Sequence, residues 1–223
     1  MTRRMIVPLL FGLIGTAVLI FLGLWQVQRL DWKRGILDTI ESRIAAEPVE
    51  VPSVPTRSED QYRRVEASGV IEPGEIHVYT AAPSGGVGYR IIAPFTLADD
   101  RKILIDRGFV PIGQKDASRP TGPISVRGSL LWPDDGALDS NPPDLAKNIW
   151  IARDLPAMAA ELGTDAVLIV AAETDPADGP DPLPVTVNIP NNHLEYAVTW
   201  FGLAVVWAGM TLWLLWRIKR RLD

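Results

Sequence analysis

The sequence holds two histidines, and one of them, His193, stands four residues ahead of a charge-free run of twenty, residues 197–216. It opens the stretch HLEYAVTWFGLA, in which Tyr196, Ala197 and Trp200 follow at spacings of three, four and seven, with Ala204 a further seven beyond Ala197. On a helix such spacings return to one face. A small residue flanked by aromatic rings beside an imidazole suits a flat, apolar, iron-bearing macrocycle, and haem iron commonly takes one proximal histidine. The chain contains no cysteine, which excludes disulfides, thiolate zinc sites, iron–sulfur clusters and covalent c-type haem attachment. Met1, Met5, Met158 and Met210 are dispersed, so there is no soft-ligand cluster for copper.

Local signals set the imidazole at a helix start. Pro190 ends the preceding segment, and Asn192 with Glu195 three residues on resembles a capping box, so His193 is expected as the first helical residue. The positive end of a helix dipole favours an uncharged ring there, the form that binds metals. Asn191 or Glu195 is expected to accept a hydrogen bond from the other ring nitrogen, as metal-bound histidines require. The same residues also fit an ordinary interfacial belt, in which Tyr and Trp anchor a spanning helix and the histidine is a polar cap among headgroups.

The other imidazole, His77, lies in EIHVYT, and Asp106 in ILIDRGFVP is a conceivable acid–base partner. The residue patterns favour a plainer reading: a half-exposed packing histidine in an alternating strand, and an Asp-Arg-Gly turn or local ion pair at a strand end. No GxSxG, HExxH, P-loop or dinucleotide fingerprint accompanies them. The chain is therefore not expected to be an enzyme.

Two elements must position His193. Residues 6–25 and 197–216 are each free of charge, and twenty residues at about 1.5 Å rise cover the roughly 30 Å hydrocarbon core. No small-residue cleavage site follows the first run, so both are expected to span, over residues 6–28 and 193–216. Gly12, Gly15 and Gly23 in the first span either permit close helix packing or reflect the usual abundance of glycine in membranes. Leu30, Leu37, Ile40 and Ile44 recur at helical spacing, extending the first helix through residues 29–47 as an amphipathic segment. Residues 29–195 carry a net charge of −10 and the two ends +5. By the positive-inside rule the basic ends, residues 1–5 and 217–223, are cytoplasmic and the acidic middle lies outside, with both termini inside. An acidic exported domain is not expected to bind nucleic acid.

The expected class is thus an α+β membrane protein: two terminal transmembrane helices flanking a mainly β extracytoplasmic domain with a minor helix. Residues 48–58, PVEVPSVPTRS, read as a linker, and residues 59–190 as the domain. Short Val- and Ile-rich runs bounded by Gly, Pro or Asp are expected as strands over 62–71, 75–80, 88–97, 102–110, 124–131, 148–153 and 166–172. Residues 155–162 read as the helix, with Asp154 its N-cap, and 176–184 as a loop.

GLWQVQRLDWKRGIL (23–37), GYRIIAPF (88–95), ILIDRGFVP (103–111) and NNHLEYAVTWFGLA (191–204), in this order between two terminal spans, resemble the Surfeit locus protein 1 family across essentially the whole chain. The resemblance implies an assembly factor of cytochrome c oxidase that helps install haem a into oxidase subunit I, in the bacterial cytoplasmic membrane with its middle domain in the periplasm. It implies haem a binding through the histidine matching His193. Tyr196 and Trp200 would line that site, and Trp25, Gln26 or Arg29 would contact the macrocycle or its propionates. Expected partners are subunit I, the haem a synthesis machinery and the lipid bilayer. The chain departs from the family at Asp106 and Phe109, where Asn and Trp are expected. The contrasting expectation is a scaffold that docks on nascent subunit I without binding a cofactor. Service to a quinol oxidase is a further alternative.

Overall fold

The computed structural model describes residues 3–82, 85–135, 142–177, 179–186 and 191–221. Pro190, expected to end the segment before His193, lies outside them. The chain divides into two compact units: Met1–Thr39 with Val187–Asp223, and Ile40–Thr186.

Helix α1 runs without interruption over Arg3–Ala45. At about 1.5 Å per residue its 43 residues exceed twice the roughly 30 Å an apolar core requires, so the helix is longer than a span alone needs. The stretch read as a linker is tied down. It holds strand β1 (Val49–Glu50) and leads into a single turn, α2 (Arg57–Asp60). The Arg101 guanidinium reaches across to the carbonyls of Val51, Pro52 and Ser53 at 3.2, 2.7 and 3.1 Å.

The middle of the chain is a closed β barrel. Strands β2 (Arg64–Ile71), β6 (Gly122–Leu130), β8 (Leu168–Asp175), β5 (Lys102–Pro111) and β4 (Val87–Leu97) pair in that order, and β4 returns to β2 through Phe95 to Leu97. Closure leaves no open edge around the ring. Only β5 and β8 run parallel within it. The eleven-residue β4 makes closure possible by dividing one edge: its last residues face β2, and its first face β3 (Ile76–Ala81), which carries the two-residue β7 (Ile149–Trp150) in parallel. The strand expected over 148–153 is thus cut to two residues.

Alternation along β5 and β8 separates two cores. Ile103 and Ile105 with Ile169 and Ala171 fill the barrel interior around Phe95. Leu104, Leu168 and Val170 point the other way, onto helix α3 (Leu155–Leu162) and its Met158, which is fully buried. These strands are buried on both faces, so they read as continuous apolar runs. As expected, Asp154 caps α3, accepting from the Ala157 amide at 3.0 Å, and Gly163 ends it in a left-handed conformation, φ 66°.

The second long helix, α4 (His193–Arg220), begins at the expected residue. It and α1 are long and apolar enough to cross a membrane.

Candidate functional site

Within the helical unit α1 and α4 run antiparallel, and glycines set their approach. A Cβ on Gly12 would lie 2.1 Å from the Thr211 side chain, one on Gly15 2.3 Å from the Trp207 indole nitrogen, and one on Gly23 2.6 Å from the Phe201 ring. Ala197 and Ala204 are buried along the same seam, and Phe11 packs its ring 5.3 Å from that of Trp207. Van der Waals fit between small residues is the main attraction available to helices in lipid, where burial from water supplies none. The expectation that Gly12, Gly15 and Gly23 permit close packing is met.

His193 closes this seam. Its Nδ1 lies 2.7 Å from the Oε1 of Gln26, a buried glutamine on α1. With the amide oxygen accepting, the proton sits on Nδ1, the ring plane is fixed, and the Nε2 lone pair has no hydrogen-bond partner among the described residues. The partner expected from sequence, Asn191 or Glu195, is not used. Neither is the capping box: Asn192 occupies the N-cap position at φ −93°, ψ 11°, without a side-chain hydrogen bond. Its geometry differs from the extended backbone that lets a cap side chain reach the first-turn amides. The Oδ1 of Asn191 is left buried with no donor, a second polar atom at this end of the pair.

Of the other residues singled out by sequence, Trp200 is half-buried on the face of α4 that carries Ala197 and Ala204. Tyr196 and Trp25 are exposed on the outer faces of their helices, at 56% and 47%. Arg29 is exposed as well, its guanidinium 4.3 Å over the Trp32 ring. The helix pair therefore brings Gln26 and His193 into contact and leaves Trp25, Arg29 and Tyr196 on the outside. Among the described residues no group of three or more His, Asp and Glu could hold a metal ion, and the imidazole nitrogen at this end is the Nε2 of His193. That donor set, a hydrogen-bonded imidazole with a free second nitrogen, fits a singly ligated haem.

The barrel unit corrects two expectations. His77 is buried at 5% exposure instead of half-exposed, and its Nε2 pairs with Glu75 Oε1 at 2.8 Å. Arg119 grips the same carboxylate oxygen, and Asn148 donates to the Glu75 carbonyl at 2.7 Å. Burial alone would raise the Glu75 carboxyl, but the hydrogen bond from His77 and the charge of Arg119 outweigh it and hold it below 4.5. Asp106 is not part of a turn. It sits fully buried inside β5, where its Oδ2 pairs with Arg90 at 2.5 Å and its Oδ1 accepts from the Gly108 amide at 3.1 Å. Gly108 is required there: φ is +117°, and a Cβ would meet the Asp181 carbonyl at 2.2 Å. Burial pushes the Asp106 carboxyl above its ordinary value despite the opposing pull of Arg90 and Arg153. These networks pin a bulge and a loop, and His77 and Asp106 each have a different partner from the other.

Residues 13–205 match the SURF1 family. The chain belongs to that family. Relatives include Surfeit locus protein 1 of Rattus norvegicus, 30% identical over 218 residues that cover 86% of this chain and 70% of that protein. The Homo sapiens protein of the same name is 30% identical over 218 residues, covering 86% and 71%. A SURF1-like protein of Rickettsia felis is 30% identical over 209 residues, covering 86% of this chain and 90% of the relative. SURF1 proteins are oxidase assembly factors, and this general role extends to the chain by membership. SURF1-like relatives, Rickettsia proteins among them, and two membrane-length helices together support an inner-membrane protein. The matched residues take in Gln26 and His193 and the seam pair Gly23 and Phe201.

Proposed function

We propose that this SURF1 protein binds haem a through His193 and assists its delivery to, or insertion into, subunit I of a haem-copper oxidase. The contact between His193 Nδ1 and Gln26 Oε1 carries this reading. An acceptor hydrogen-bonded to one ring nitrogen orients the ring and fixes the tautomer that leaves the other nitrogen for a metal, the arrangement metal-bound histidines use. Haem a is the cargo: His193 would offer a nitrogen to the iron, Gln26 holds the imidazole, and the Trp25 and Tyr196 rings, exposed on the outer faces of their helices, offer apolar surface to the macrocycle. Trp200 would line the macrocycle site, and Arg29 offers a cation to a propionate. One protein ligand suits a carrier that must release what it binds. In this reading the positive-inside rule puts the basic ends in the cytoplasm and the barrel in the periplasm, with His193 at the outer rim of the bilayer. Subunit I and the haem a synthesis machinery are the partners this role requires.

The test is to purify the full chain from cells that make haem a and record its visible spectrum, alongside His193→Ala and His77→Ala. A haem signal in the parent and in the His77 variant, lost or shifted in the His193 variant, supports the carrier. A colourless parent made beside active haem a synthesis supports a scaffold that docks on subunit I without a cofactor.

A further inference from the structure

The other end of the helix pair carries a different chemistry. The final turns of α4 hold Arg217, Lys219, Arg220 and Arg221, and α1 starts at this same end with Arg3 and Arg4 in its first turn. No Asp or Glu occurs among the described residues of either helix near this end. Trp213, Trp216, Arg217 and Arg220 fall at spacings of three, four and seven, one continuous stripe along α4. Arg220 lies 4.0 Å over the Trp216 ring and Arg217 5.4 Å from that of Trp213. Both rings remain half exposed, at 50% and 56%.

Order along the stripe identifies the ligand. The indoles lie on the side of the apolar span and the guanidiniums one turn beyond them, so the surface passes from apolar to cationic within about 5 Å. Each guanidinium lies within cation–π reach of an indole, and a guanidinium offers several N–H donors in a fork that matches a phosphate. A soluble anion would use the cations and ignore the exposed rings. A molecule with an anionic phosphodiester joined to hydrocarbon chains uses both. We propose that this stripe binds one anionic glycerophospholipid, its phosphodiester held by Arg217 and Arg220 and its acyl chains lying along Trp213 and Trp216.

Charge alone also draws a polybasic end to an anionic membrane; arginine geometry distinguishes a built site from that attraction. The full chain in detergent is mixed with phosphatidylglycerol or phosphatidylcholine, and bound lipid is counted by native mass spectrometry. The parent is expected to retain phosphatidylglycerol at least about tenfold over phosphatidylcholine. The doubly substituted Arg217→Lys, Arg220→Lys protein keeps every charge and is expected to lose that adduct about fivefold or more. Trp213→Leu with Trp216→Leu keeps the arginines and is expected to lose it similarly, with helical content by circular dichroism unchanged in whichever variant is scored. Equal retention by the lysine protein would overturn the proposal, as would equal retention of the two lipids by the parent. Displacement of the adduct by millimolar inorganic phosphate would reassign the cations to a soluble anion and overturn it too.

Discussion

The Nδ1 of His193 and the Oε1 of Gln26 lie 2.7 Å apart, joining the first turn of α4 to the buried face of α1. If this contact orients the ligand, Gln26→Leu should weaken haem a binding by about 10- to 100-fold, the usual cost of losing such a support. Gln26→Glu supplies a stronger acceptor and should keep affinity at or above the parent level. Titration of haem a into purified protein, followed at the Soret band, measures both. Unchanged affinity in the leucine variant would remove the glutamine from the site.

Close approach along the seam depends on missing side chains. Gly15→Leu drives a branched side chain into Trp207, and a core overfilled in this way loses about 1–3 kcal/mol. A lower thermal midpoint in detergent is the expected result, with partial recovery when Trp207→Ala opens the space. That second change also removes an indole N–H that is buried without a partner.

Asp106 and Glu75 should give stability profiles of opposite slope. Burial raises the Asp106 carboxyl, so its contribution is fully present below pH 3.8 and is lost as pH rises through the raised folded value. Asp106→Asn keeps the shape of the protonated side chain and cannot ionise. The variant should therefore gain on the parent as pH rises above 3.8, read from paired thermal midpoints. Glu75 is held below 4.5, so its contribution is present above that value and lost as pH falls through the lowered one. Glu75→Gln should flatten the acid limb of the melting curve.

Helix α3 closes the outer face of the barrel through few residues, which makes it a sensitive gauge of that unit. Asp154→Ala removes the cap and should cost about 1 kcal/mol. Met158→Ala empties a fully buried position and should cost about 2–5 kcal/mol. Denaturant midpoints of the full chain, followed by far-ultraviolet circular dichroism, compare the two.

Much of this architecture is legible in the sequence because lipid and alternation leave strong marks. The charge-free runs, the continuation of α1 through Leu37 and Ile44, the strands beside Gly and Pro, and the Asp154 cap all follow from local rules. Closure of the barrel does not, since it depends on β4 dividing one edge between β2 and β3, a relationship between segments far apart in sequence. The burial of His77 and Asp106 was hidden for the same reason: Arg119, which grips the Glu75 carboxylate that His77 meets, and Arg90, which pairs with Asp106, are supplied by other elements. At the helix pair, His193 and its place at a helix start were legible, but its partner was not. Gln26 did carry one signal, as an uncharged polar residue at the end of an apolar span and at the depth where α4 begins. Antiparallel pairing was needed to bring it beside the imidazole.

Axial ligation is tested most directly by removing the imidazole and returning it in solution. His193→Gly should lose the haem a Soret signal of the parent, and added free imidazole should restore it, while Gln26 stays in place. Haem a binding by the glycine variant with unchanged affinity and spectrum, indifferent to imidazole, would contradict ligation by His193.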